Sequence, residues 1–266
     1  MGDEVAAIRK PFGPEDLRPL LLANGVDRSV VVQTISSVDE TREFLATAAT
    51  SGFIAGVVGW TDLTDPSIAT TVSELRSGSG GKLLVGIRHQ VHDEPDPRWL
   101  LRDDVLRGIR AVGDAGLVYD FLVRTRELPA ALAVARQLPE IRFVIDHMAK
   151  PRIAAGPRDL DWEQALAPFS DLPNVSCKLS GLVTEARWDG WTPDDLVPYV
   201  HRAVGWFGPD RCMFGSDWPV CLLAATYEQV MQAMRYALRD LDASAMEAVF
   251  GGNAVRVYRL SDSVDQ

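Results

Sequence analysis

A chain of 266 residues, 47% hydrophobic and 24% charged, has the composition of a globular protein and the length to bury a large core, which excludes disorder. Twenty-seven Lys and Arg against 37 Asp and Glu leave a formal net charge of -10, a field that repels phosphate backbones and anionic lipid heads and so argues against nucleic-acid and membrane partners. No uninterrupted apolar run approaches the roughly 20 residues of a spanning helix, and MGDEVAAIRK lacks the apolar centre of a signal peptide, which predicts a cytoplasmic protein.

Residues 1–13 carry no β-rich run, and the first periodic segment is the helical PEDLRPLLLANG. The strand SVVVQT (29–34) follows, then the helix VDETREFLATAAT, the strand IAGVVGWTDL (54–63), the helix PSIATTVSELRSG and the strand LLVGIRHQV (83–91). PRWLLRDDVLRGIRAVGDAG reads as one long helix leading to LVYDFLV (117–123), ELPAALAVARQL leads to FVIDHMAK (143–150), and DWEQALAPF leads to NVSCKLSG (174–181). TPDDLVPYVHRAVGWFG precedes the last strand, CMFGSDW (212–218), and the helical TYEQVMQAMRYALRDLD and SAMEAVFGGNAVRVYRL close the chain. Most helices open on Pro or an acidic residue and several end before Gly. Strands that begin as continuous apolar runs are those of a parallel sheet covered on both faces, and no linker divides the pattern, so one α/β domain over 1–266 is expected. Seven strands are read, against the eight of a closed (β/α)8 barrel.

In a parallel barrel the C-terminal strand ends share one mouth, where catalytic groups collect. Here those ends carry Gln33, Trp60 with Asp62, Arg88 with His89, Asp120, Asp146 with His147, Lys178, and Asp217 with Trp218. A carboxylate closing a buried strand is costly unless it is used, which singles out Asp217. His147 ends an apolar strand before a turn closed by Pro151, and its position favours function over a core histidine. Neighbours on a strand face opposite ways, so one of Arg88 and His89 points inward. Lys178, an ammonium within a buried strand, needs either a carboxylate such as Asp217 or a substrate; both readings stay open. His92 lies in a loop and His201 in mid-helix, where neither need be functional. Cys177, Cys212 and Cys221 have no CxxC spacing and read as reduced, packed thiols.

FVIDHMAKP, NVSCKLSGL and FGSDWPV in this order, with GVVGW and VGIRHQVHDEPDP upstream, resemble the amidohydrolase superfamily, and within it the amidohydrolase-2 group of sugar-acid lactonases, over about residues 3–260. The resemblance implies a distorted (β/α)8 TIM-type barrel and a hydrolase acting on a small lactone of the L-fuconolactone or L-rhamnonolactone type. It implies Asp217 and His147 as catalytic residues, Asp217 activating water and His147 stabilising the oxyanion. It implies substrate contact for Arg88, His89 and Lys178, with Trp60 and Trp218 as apolar walls. The family's first strand bears a His-x-His pair absent from this sequence, so the chain reads as beginning after that strand, and the single divalent metal ion that the family can carry has no assigned ligand set. The expected partner is a small-molecule substrate. Open sheet edges would also favour a homo-oligomer. Related barrels act on carboxylated lactones or decarboxylate aromatic acids, for which the cations counted at the mouth are Arg88, Lys178 and Arg124. A non-catalytic barrel that binds a sugar acid is the remaining alternative.

Overall fold

The structure is a computed structural model and describes residues 3–261. Its seven strands are β1 (Ser29–Val32), β2 (Ile54–Gly59), β3 (Leu84–His89), β4 (Val118–Phe121), β5 (Phe143–Ile145), β6 (Val175–Leu179) and β7 (Cys212–Phe214). Each pairs in parallel with the next in chain order, and among the described residues β1 and β7 end the ladder. All seven lie where the apolar runs predict them. All stop short of their expected ends, by two residues at β1, β3, β4 and β6 and by four or five at β2, β5 and β7, which end at Gly59, Ile145 and Phe214 because the residues that follow leave the ladder to form the mouth.

Helices α1 (Pro14–Ala23), α2 (Val38–Ser51), α3 (Ile68–Ser77), α4 (Asp103–Asp114), α5 (Leu128–Gln137), α6 (Leu160–Leu166), α7 (Pro193–Phe207) and α8 (Tyr227–Ala237) precede, link and follow the strands. Local chemistry sets their ends. Ser37 accepts from the Glu40 N–H to start α2, which Gly52 ends at φ 68°, and a reciprocal Thr226–Gln229 box starts α8. The stretch predicted as one helix over 97–116 is instead a single turn at Trp99–Leu101 followed by α4. Trp99 and Leu100 are buried, and the extended Arg102 separates the two pieces.

The sheet curls. Inward-facing Val58 of β2, Val118 of β4, Val144 of β5 and Met213 of β7 share one apolar cluster with Val257 and Tyr258. In a flat sheet, spacings of about 4.8 Å would part β2 from β7 by about 24 Å. The opposite faces of the strands, with Ile87, Tyr119, Phe121, Phe143, Ile145 and Cys177, pack against the helices in the main core. The chain ends in α9 (Ala243–Glu247), a π turn over 248–252 and α10 (Asn253–Tyr258). The Asn253 amide donates to the carbonyls of Pro209 and Cys212 at 2.7 and 2.6 Å, fixing α10 against β7 so that Tyr258 enters the curl. The three cysteines are free and buried, as expected. No helix among the described residues is long and apolar enough to cross a membrane.

Candidate active site

After β5 the backbone turns left-handed for four residues: His147, Met148, Ala149 and Lys150 have φ of 52, 51, 57 and 54°. Each such residue costs an L-amino acid about 1–2 kcal/mol, so the surroundings must hold the turn. Met148 and Ala149 are fully buried, the Trp162 indole donates to the Met148 carbonyl at 2.6 Å, and the Lys150 N–H closes the turn on the His147 carbonyl at 2.8 Å.

The turn aims His147 across the mouth. Its Nδ1 lies 2.8 Å from Ser180 Oγ and its Nε2 3.7 Å from Asp217 Oδ1. Gly181 makes room for the ring: its φ is 65°, and a Cβ there would stand 2.7 Å from His147 Nδ1. Asp217 is itself left-handed at φ 56°, anchored by its carbonyl accepting from the Cys221 N–H at 2.8 Å. The 3.7 Å gap is too long for a direct hydrogen bond and leaves both groups able to hold one common oxygen. Burial pushes the His147 pKa down, and the charges of Lys150 and Arg88 add to this against the pull of Asp217 and Asp146, so the ring is neutral.

Beneath this pair lies a layer of buried charge. Arg88 points inward and gives Nη1 to Asp146 Oδ2 at 2.7 Å, with Nε and Nη2 on the Gln33 side-chain oxygen and Nη2 also on the Gln33 carbonyl. Lys178 Nζ stands 2.6 Å from both Asp120 Oδ2 and Asp146 Oδ1, and the Tyr258 hydroxyl donates to Asp120 Oδ2 at 2.7 Å. Lys178 therefore has carboxylate partners, and they are Asp120 and Asp146 rather than Asp217. Burial pushes the Asp120 carboxyl up to about 6 despite Lys178. Burial acts the same way on Asp146, but Lys178 and then Arg88 more than reverse it and hold that carboxyl below the usual range.

His89 points the other way, as strand alternation requires. Its ring stacks on Trp99 at 4.3 Å, accepts from the Trp60 indole at Nδ1 (3.0 Å) and faces Glu94 Oε1 from Nε2 at 2.7 Å. Both ring nitrogens of His89 and the indole N–H of Trp60 are thereby engaged within the protein. Trp218 is half-buried and meets Phe12 edge-on at 5.1 Å. On the rim, Lys150 Nζ lies 3.2 Å from Glu185 Oε1 and Arg124 Nη1 3.9 Å from Glu185 Oε2. Ser180, Gly181, Lys150, Glu185 and Tyr258 are not singled out by the sequence pattern. The run KLSGL beside Lys178 is the one signal that could have found Ser180 and Gly181.

The curled parallel sheet is consistent with a TIM-type α/β barrel, and an acid and an imidazole, groups able to assist hydrolysis, face each other at its C-terminal mouth. The chain belongs to the amidohydrolase family, which it matches over residues 1–260. It is 42% identical over 261 residues to an L-fucono-1,5-lactonase of Burkholderia ambifaria, covering 96% of this chain and 87% of that one. It is 40% identical over 275 residues to an L-fucono-1,5-lactonase of Burkholderia multivorans, covering 100% and 92%. The crystal structure of an amidohydrolase from Burkholderia multivorans with bound zinc superimposes with a TM-score of 0.91 at 38% identity over 98% of this chain and 93% of that one. That zinc ion and the family support a divalent metal. In this chain, however, no group of three or more His, Cys, Asp or Glu side chains among the described residues could hold one. His147 and Asp217 supply two donors and Asp146 is engaged by Arg88 and Lys178, so the donor set present does not fit a divalent cation, and no step below passes through one.

Proposed function

We propose that this protein hydrolyses a small sugar-acid lactone of the L-fucono-1,5-lactone type. The observation that carries the reading is the pair formed by Asp217 and His147, 3.7 Å apart at the mouth. Asp217 takes a proton from water as the water oxygen bonds to the lactone carbonyl carbon. With Ser180 Oγ donating to Nδ1, His147 keeps its proton on Nε2 and gives a hydrogen bond to the carbonyl oxygen as it becomes an oxyanion. Collapse of the tetrahedral intermediate breaks the bond to the ring oxygen, and the proton on Asp217 passes to that alkoxide. The products are a hydroxyl and a carboxylic acid, which ionises to the carboxylate and releases its proton to solvent.

In this reading Arg88 and Lys178 form the floor, where any donors they retain meet sugar hydroxyls, while Trp60, His89 and Trp218 line the walls. One unit of eight-stranded plan, with the eighth place at the seam between β1 and β7, a cytoplasmic setting for the reduced thiols and self-association through the exposed edges belong to the same proposal. The test is acid release from L-fucono-1,5-lactone. Wild type should turn over, and Asp217→Asn should lose about 10²–10⁴-fold in kcat while melting normally; full turnover by the variant refutes the assignment.

A further inference from the structure

Hydrolysis of a lactone converts a neutral substrate into a carboxylate, and that charge arises beside Asp217, which is itself an acid. A cation must offset the repulsion. Arg88 and Lys178 are poorly placed to do so. The Arg88 fork is spent on Asp146 and Gln33, and Lys178 lies between two carboxylates of zero exposure. Drawing either away would strand a buried charge.

Lys150 differs. The hydrogen bond from its N–H to the His147 carbonyl closes a turn in which residues three apart project to the same side, which sets the Lys150 side chain on the His147 side of the turn. Among the described residues its ammonium has one hydrogen-bonding partner, Glu185 at 3.2 Å, and its side chain keeps 17% exposure. Arg124, half exposed, reaches the other oxygen of Glu185 at only 3.9 Å. Two cations thus share one acid at the rim, leaving a net positive charge. The Lys150 charge is among those that lower the His147 and His92 pKa values, behind burial in both cases.

We infer that Lys150, seconded by Arg124, is the subsite for the product carboxylate and that the Glu185 carboxylate stands in the place this product group competes for. The inference rests on the lactonase reading for the identity of the anion, an aldonate, and goes beyond it in assigning these residues.

Titration calorimetry of L-fuconate, and of the matching neutral alditol, against wild type, Lys150→Met, Lys150→Arg and Glu185→Gln tests it, with melting curves for each protein. Lys150→Met should weaken aldonate binding about tenfold or more and leave the alditol unaffected; Lys150→Arg should restore most of the loss. Glu185→Gln should bind aldonate more tightly, because a competitor has gone. If Lys150→Met binds aldonate like wild type, or if Glu185→Gln loosens binding as much as Lys150→Met, Lys150 only braces the rim and the inference falls. Acid release measured separately keeps the two readings apart. Wild type that binds aldonate through Lys150 without hydrolysing lactone upholds the subsite and overturns the lactonase; hydrolysis without sensitivity to Lys150 does the reverse. Wild type that does neither overturns both.

Discussion

A neutral imidazole at 3.7 Å from a carboxylate is an unusual resting state, since the acid should favour the imidazolium. In His147 burial wins, helped by the nearby charges of Lys150 and Arg88. The ring then serves as a hydrogen-bond donor whose protonation does not compete with catalysis. Lowering the pH to about 6.5, the ordinary histidine value, should therefore not protonate His147; a fall in lactone turnover centred there in wild type, absent from His147→Gln, would contradict the neutral assignment. His147→Gln itself should lower kcat about 10²–10³-fold with a modest change in KM, because an oxyanion donor acts chiefly in the transition state. Arg88 and His89 illustrate alternation at this scale. The inward residue joins the charged layer, and the outward one stacks on Trp99.

The element that shapes the mouth is the left-handed turn 147–150, and it is held from outside. Trp162 of α6 fixes its Met148 carbonyl, and the backbone at Gly181 lies close under the His147 ring. Gly181→Ala adds a methyl 2.7 Å from His147 Nδ1 at a φ of 65°, where both strain and overlap oppose it. The expected cost is about 1–3 kcal/mol in denaturant unfolding, together with a loss of turnover larger than the loss of stability implies, because the ring must move. Unchanged kinetics in that variant would mean that His147 has slack the structure does not show. The apolar runs make the seven strands legible, since all but the partly exposed β1 are buried along most of their length. Their ends were not, because FVIDHMAK is apolar enough to continue a strand and nothing local marks where the backbone inverts.

Across the whole molecule the charged layer couples β3, β4, the end of β5, β6 and α10. Lys178→Met leaves Asp120 and Asp146 facing each other in a dry interior and should destabilise by about 3–5 kcal/mol, against about 1 kcal/mol for Tyr258→Phe, which removes one hydrogen bond. Denaturant titration separates the two. Asp120 also sets a pH signature. Folded, it binds a proton near pH 6, whereas unfolded it does so near 3.8, so between these values the folded state carries more protons and this group makes stability fall as pH rises. His147 acts oppositely: its depressed folded value means stability is lost as pH drops below about 6.5. Asp120→Asn removes the first effect, so its melting temperature should climb more steeply from pH 4 to 6 than that of wild type. Parallel curves would place the Asp120 proton elsewhere.

Sequence alone determined the parallel α/β plan, the absence of a CxxC site and the polar residues at the strand ends. Each follows from short-range periodicity or from composition, which the chain carries without reference to its fold. Asp217 and His147 were visible because they interrupt apolar runs at strand ends. The tertiary structure decided which groups spend their charge on one another: that Lys178 and Arg88 are neutralised by Asp120 and Asp146, that His89 is tied to Trp60 and Glu94, and that Lys150 pairs with Glu185. Those outcomes depend on the curl of the sheet and on a backbone held against its own preference by Trp162 and its surroundings, and such long-range packing leaves no periodic mark in the residues that undergo it.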